Sequence, residues 1–283
     1  MSVLRSPTLA ALVATATASH AQIAFPAASP PATIQQQVGL TDIEIVYSRP
    51  AVRGREIFGH LVPWGEVWRT GANNATKVSF STNVSLNGTP LEPGTYELHT
   101  IPGPAEWTVI IYPDSNQWGS YAYDSSRDVA RFSATPVTLE DSVESLTLSL
   151  DDLTNDSATL NIAWATTRVP IAVKVDLVGQ VVPQIEAAMA ADSDNKPYFA
   201  AAMFYYENDL DLDLAADWMA SAVAAQPGQV WMVYRQGLIL AKKGDQAGAR
   251  AAAESALALA KQAPGSLGEE YQRLSEALLA SLD

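Results

Sequence analysis

Residues 84–101, VSLNGTPLEPGTYELHTI, decide the class of fold. Asn87-Gly88 lies between apolar residues, and both central positions of a type I′ turn need positive φ, so Val84 to Leu91 is expected to be a hairpin. Pro93-Gly94 turns the chain again. Tyr96 and Leu98 then alternate with Glu97 and His99, which reads as a strand with Glu97 and His99 on the face opposite Tyr96 and Leu98.

The same reading extends outward. On the N-terminal side Ile43, Ile45 and Tyr47 alternate with Asp42 and Glu44, and Val78 and Phe80 alternate with Lys77 and Ser79. On the C-terminal side Trp107 to Tyr112 is apolar at nearly every position, as a central strand buried on both faces would be. Val129 to Ala134, Ser145 to Leu150, Thr159 to Trp164 and Arg168 to Leu177 are further strand candidates. Short strands joined by Gly, Pro and Asn turns, with no helical period among them, predict a β-sandwich of jelly-roll-like type over residues 41–180, with a barrel as the alternative.

After Pro183 the period becomes helical and alanine dominates. Ala215 and Ala249, Ala222 and Ala256, and Met203 and Gly237 each stand 34 residues apart, the tetratricopeptide period. Residues 183–283 are therefore expected to form a tetratricopeptide-like helical region. Two copies are fewer than a free solenoid needs, so the helices are expected to pack on the β-domain or on another copy of the chain.

At the N-terminus, Arg5, the apolar run Leu9 to Ala18 and Ser19-His20-Ala21 read as a signal peptide over residues 1–21. The expected product is exported, periplasmic or secreted, after cleavage near Ala21. Residues 22–40, rich in Pro and Ala, read as a tether. No stretch reaches the roughly 20 apolar residues of a membrane span. A net charge of −14 argues against nucleic acid, whose phosphates need a basic footprint, and the absence of cysteine removes disulfides and thiolate chemistry.

Against that acidic background, Arg49 to Thr76, RPAVRGREIFGHLVPWGEVWRTGANNAT, is conspicuous. Between Arg49 and Lys77 there are five basic and two acidic residues, whereas the rest of residues 22–182 holds four basic and 15 acidic. Guanidinium groups bind carboxylates and phosphates through a planar fork and stack on aromatic rings. Two readings stay open: the arginines pair with local carboxylates and brace a long loop, or they bind a small polar or anionic ligand. The ligand candidates are Arg49, Arg55, Trp68, Arg69, Asn73 and Thr76, joined by Trp118 and Tyr121 from the aromatic cluster Gln117 to Asp124. His99 is a conceivable metal ligand or general base, but no spacing supplies the three or four convergent ligands of a zinc site. Asp209, Asp211 and Asp213 lack the glycine of a calcium loop. No GxSxG, Walker, HExxH or dinucleotide fingerprint is present, and no cofactor or metal is expected.

Residues 48–76, the LEPGTYELHT segment of Leu91 to Thr100, Ile101-Pro102-Gly103, Trp107 to Ile110 and Asn116 to Gly119 together resemble the bacterial family catalogued as domain of unknown function 2911. The resemblance covers residues 41–178 and rests on separated motifs in the family's order. It implies a β-rich exported protein of Bacteroidetes-like bacteria, and it implies no activity. The leading expectation is a non-catalytic binding or scaffold protein whose helical tail docks a protein partner or a second copy. The alternative is a hydrolase or lyase on cell-wall or polysaccharide substrates with Glu56 or Glu66 as acid or base, which requires the two carboxylates to face one cleft.

Overall fold

The computed structural model describes residues 25–193 and 195–282. The signal-peptide reading therefore lies outside the described residues. Among the described residues ten strands are followed by six helices, with no helix longer than a 3-10 turn among the strands. Strands β1 (Pro31–Val38), β2 (Thr41–Ser48), β3 (Thr76–Phe80), β6 (Gly94–Ile101), β7 (Trp107–Pro113) and β8 (Ala130–Ala134) form one sheet in the order β1-β2-β3-β6-β7-β8. A second sheet, ordered β5-β4-β10-β9, is built from β4 (Val84–Leu86), β5 (Thr89–Leu91), β9 (Val137–Asp151) and β10 (Ser157–Val175). Every pair is antiparallel.

The alternation explains the sandwich. Ile43, Ile45, Val78, Leu98, Val109 and Ile111 of the first sheet meet Leu86, Leu148, Leu160, Ile162, Ile171 and Val173 of the second in one apolar cluster. The Asn87-Gly88 turn is as read: φ is +46° and +82°, and Leu86 pairs with Thr89. Strand β7 is buried on both sides: Trp107, Val109 and Ile111 face the sandwich core, while Ile110 and Tyr112 are buried on the other face, Tyr112 against Tyr123 of the following loop.

Three boundaries differ from the sequence reading. Residues 31–38 are not tether but the edge strand β1, paired with β2 from Pro31–Ser48 to Val38–Thr41. Pro31 is tolerated because it opens an edge strand. The segments 159–164 and 168–177 are one 19-residue strand, β10, bent by irregularities between Ala163 and Thr167, where Ala165 has φ +51°. Helix α1 (Leu177–Ala190) begins at once, capped by the Asp176 carboxylate accepting from the Gly179 amide at 2.8 Å, and it contains Pro183 instead of starting after it.

Helices α2 (Tyr198–Glu207), α3 (Leu212–Ala225), α4 (Val230–Lys243), α5 (Gln246–Ala260) and α6 (Gly265–Ser281) follow. Their apolar clusters share no residue with that of the sandwich. The helices pack on one another. Ala215, Ala222, Ala249 and Ala256, the residues of the 34-residue spacing, are all buried. No helix among the described residues is long and apolar enough to cross a membrane.

Two side chains of β2 and its exit tie the sheets together. The Leu148 amide donates to the Tyr47 hydroxyl at 3.1 Å, and Arg49 donates from Nε to the Leu146 carbonyl at 2.9 Å and from its terminal nitrogen to Thr147 Oγ1 at 2.7 Å. Arg49→Met keeps the aliphatic stem and removes both bonds. The expected loss is about 1–2 kcal/mol of unfolding free energy, with no change in denaturant slope, measured by urea titration.

Candidate functional site

The stretch from Arg49 to Thr76 runs as a long loop between β2 and β3, and its shape is set by backbone conformations that L-residues rarely adopt. Arg53, Thr70 and Asn73 have φ of +49°, +52° and +61°. For a β-branched residue such as Thr70 this conformation is strained, and such strain is found where surrounding structure holds it in place. Here the Thr70 hydroxyl sits 3.1 Å from that of Thr100, and its carbonyl accepts from Thr76 Oγ1 at 2.8 Å. Trp68 pairs with Thr100 through its backbone at 2.7 and 2.8 Å.

Beneath the loop lies an aromatic floor. Trp68 stacks on Trp164 with ring centroids 5.8 Å apart, and Phe58 meets Trp107 edge to face at 4.9 Å. Above it opens a cavity of about 290 Å³ walled by Arg53, Arg55, Arg69, Trp68, Leu61 and Trp164, with Ala28 and Ser29 at its rim. The rim is fixed: Arg53 donates to the Ala28 carbonyl at 3.2 Å, Asn73 Nδ2 to that of Ser29 at 3.4 Å, and the Arg49 amide to that of Pro30 at 2.9 Å.

Among the described residues, the guanidinium groups of Arg49, Arg53, Arg55 and Arg69 form no ion pair within 4.0 Å; the one carboxylate at this stretch of arginines, Glu144, accepts from the Arg53 backbone amide at 2.9 Å. Arg49, Arg53 and Arg55 donate to backbone carbonyls, Arg55 at 3.0 Å to Val52 and 2.5 Å to Ala51. Arg69 Nε is buried without an acceptor, and burial pushes its guanidinium below the ordinary value while Tyr121 acts in the opposite direction. Lys77 is the basic residue of the stretch that does find a carboxylate, Asp114 at 2.8 Å.

The expected candidates thus separate. Arg55, Arg69 and Trp68 line the cavity, with Trp68 7% exposed and its Nε1 donating to the Gly71 carbonyl at 3.1 Å. Arg49 is a brace between the two sheets. Thr76 is fully buried, its hydroxyl held by Thr70. Asn73 holds Ser29 and Ser48 at the edge of a neighbouring surface hollow. Trp118 and Tyr121 stand outside the cavity, on the loop after β7. The sequence reading left out Arg53 and Trp164. The first was legible as the start of the Arg-Gly-Arg turn, whereas Trp164 reaches the wall from β10 with no local signal.

Glu56 and Glu66 do not meet the requirement for paired carboxylates. Both are exposed, Glu56 is paired with His60 at 3.0 Å, and neither lines the cavity.

A second polar constellation lies on the outer face of β6. Glu97 and His99 are both 0% exposed. Glu97 Oε1 accepts from the Ser115 amide and hydroxyl and the Gln117 amide at 3.1, 3.0 and 3.3 Å, and Oε2 accepts from Gln117 Nε2 at 2.9 Å and His99 Nε2 at 3.2 Å. Burial would raise this carboxyl, but the bonds from Gln117, His99 and Ser115 outweigh it and hold Glu97 below the ordinary range. Burial likewise lowers His99, against the pull of Glu97 and Asp128, so the imidazole is neutral and donates through Nε2. Among the described residues, His99 Nδ1 and the Tyr112 hydroxyl have no hydrogen-bond partner. Farther along the loop Tyr123 donates to Asp128 at 2.8 Å and accepts from Arg131 at 2.7 Å, and its hydroxyl is pushed up to about 12 by burial and by Asp128. No group of three or more His, Asp or Glu side chains among the described residues converges as metal ligands do.

The loop held by Glu97 reaches the arginine stretch. Ala75 donates to the Gln117 carbonyl at 3.3 Å, Gly119 to that of Asn73 at 3.0 Å, and Ser120 Oγ to that of Val67 at 3.0 Å. Glu97→Gln places an amide NH₂ among five donors, and the expected cost is about 3 kcal/mol in urea unfolding.

Acidification should act on the same pair. Both folded-state values are depressed, so the stabilisation is present above the unfolded-state values, near 6.5 for His99 and 4.5 for Glu97, and is lost as pH falls below them. The melting temperature should fall from about pH 7 to about pH 5, and His99→Gln should flatten that part of the profile.

No curated protein and no solved structure matches the chain. A family model described as "Protein of unknown function (DUF2911)" matches residues 29–173, from the cavity rim to the last strand. The Arg-rich loop, the Glu97-held loop and all but the last two residues of the strands lie inside that span, which is just over half of the chain, and the chain belongs to the DUF2911 family.

Proposed function

We propose that the β-sandwich is a non-catalytic binding domain for a small anion, a carboxylate or phosphate, in the cavity between Arg53, Arg55 and Arg69. The observation that carries this reading is that three guanidinium groups wall one cavity and form no ion pair within 4.0 Å among the described residues. Arginines whose only task was to hold the loop would be neutralised most readily by the abundant local acids. Arg53 and Arg55 are oriented by backbone carbonyls instead, which fixes their direction without cancelling their charge, and Arg69 Nε is buried with no acceptor among the described residues. A low-dielectric aromatic floor strengthens the attraction for an anion.

Export, resting on residues 1–21, belongs to the same proposal, as does a tetratricopeptide-like docking tail, supported by the buried Ala215, Ala222, Ala249 and Ala256 at matching depth in α3 and α5.

Isothermal titration with acetate, glycolate, sulfate and inorganic phosphate at low salt tests the pocket. At least one of these anions should bind, less well as salt rises, and Arg69→Met should weaken it by at least about tenfold in a protein with an unaltered circular dichroism spectrum. No heat with any of the anions, or unchanged affinity in Arg69→Met, overturns the reading.

A further inference from the structure

The loop following β7 carries an arrangement that neither the sandwich nor the arginine cavity requires. Trp118 and Tyr121 stack on one another with centroids 6.0 Å apart and planes at 24°, yet they remain 61% and 83% exposed. Large apolar rings held in water lose the stabilisation that burial would give, about 25 cal/mol per Å². A loop that needed them for its own stability would tuck them in. This loop does not need them, because it is already fixed by the four hydrogen bonds that Ser115 and Gln117 give to Glu97, by the backbone pairing with Asn73 and Ala75, and by the Tyr123, Asp128 and Arg131 set.

The backbone is shaped to present the pair. Gly119 has φ +78°, and a Cβ there would stand 2.7 Å from the Tyr121 ring, so the ring folds back beside Trp118 only because that position is glycine. The loop runs alongside residues 67–75: Ser120, between the two rings in sequence, donates from Oγ to the Val67 carbonyl at 3.0 Å, Gly119 donates to that of Asn73 at 3.0 Å, and Asn74 bridges to Trp118. Arg69 walls the cavity and stands two residues after Val67, to which this loop is hydrogen-bonded, so it joins the cavity to the segment that carries the exposed stack.

We propose that Trp118 and Tyr121 form a stacking subsite joined to the arginine cavity through Arg69, so that the ligand is a ring-bearing anion of the acidic-sugar class. This rests on the anion-pocket reading and deepens it. The carboxylate or phosphate enters between Arg53, Arg55 and Arg69, while the attached ring lies on the aromatic surface outside the cavity mouth. A sugar ring presents C–H groups to the face of an indole or phenol, and the contact gains area and dispersion without demanding one hydrogen-bond pattern. The acidic surroundings act against long polyanions and favour a ligand with one charge.

The test pairs ligands that share an anionic group and differ in the ring. Full-length protein is titrated calorimetrically with glucuronate against acetate and with glucose 6-phosphate against inorganic phosphate, and the same series is run on Trp118→Ala and Tyr121→Ala. Both residues are exposed, and a thermal melt checks that each variant folds as wild type. The ring-bearing member of at least one pair should bind roughly tenfold tighter than its ringless partner, and Trp118→Ala should remove that advantage while leaving the ringless anion unchanged. Equal binding of ring-bearing and ringless anions, or equal weakening of both in Trp118→Ala, overturns the stacking subsite and leaves the anion pocket standing. Failure of every anion to bind overturns both. Benzoate and adenosine monophosphate complete the series: tighter binding of either than of the sugar ligands overturns the choice of an acidic sugar in favour of a flat aromatic anion.

Discussion

A single buried carboxylate organises the outer face of this sandwich. Glu97 stands on β6 with no exposure to solvent, and ionised carboxylates survive in such places only when hydrogen bonds replace the lost hydration. Five donors do so, four of them from Ser115 and Gln117. The demand of one charge for partners therefore draws the loop after β7 down onto the sheet, where Tyr123 packs on Tyr112 and His99. The same loop then pairs with Asn73 and Ala75, so the position of the arginine stretch is referred, through two sets of backbone bonds, to Glu97. Buried polar networks of this kind specify one arrangement because any other leaves a charge uncompensated.

The arginine cavity follows a different physical logic. An ion pair between Arg53 or Arg55 and a nearby acid would have satisfied both groups and removed the local field. Backbone carbonyls are dipoles, so they accept the guanidinium hydrogen bonds and leave the positive charge in place. On a domain otherwise rich in Asp and Glu, that charge stands out and its field is focused into a concavity floored by Trp68 and Trp164. The strained φ of Arg53 and Thr70 is consistent with a loop shaped for where its side chains point.

Much of the sandwich was legible because one face of each strand is buried and the other is wet. Ile43, Ile45 and Tyr47, or Val78 and Phe80, announce their strands by period two. Strand β1 was hidden: only Ile34 and Val38 interrupt a Pro, Ala, Thr and Gln composition, since an edge strand needs few large apolar groups. The first half of β9, residues 137–144, was hidden for the related reason that no residue there is buried. At the site, the arginines were visible as a charge anomaly and the aromatics as a cluster, yet their division of labour was not. Whether Arg49 meets the Leu146 carbonyl or a ligand depends on a contact 97 residues away, and Trp164 reaches the cavity only through the packing of the two sheets. Alternation placed Glu97 on the face opposite Leu98, and alternation cannot show that a loop will cover that face.

Strand β10 carries Trp164 at the cavity wall, ends at Val175 and is followed by a single capping residue, Asp176, before helix α1. From residue 157 to residue 190 the backbone is therefore hydrogen-bonded strand or helix almost without interruption. A protease, which must thread about ten residues of extended chain through its own cleft, finds no such length at the boundary between the sandwich and the helices. The two halves of the molecule are joined by structure instead of by a linker, and trimming the chain at that seam would take away part of a fold.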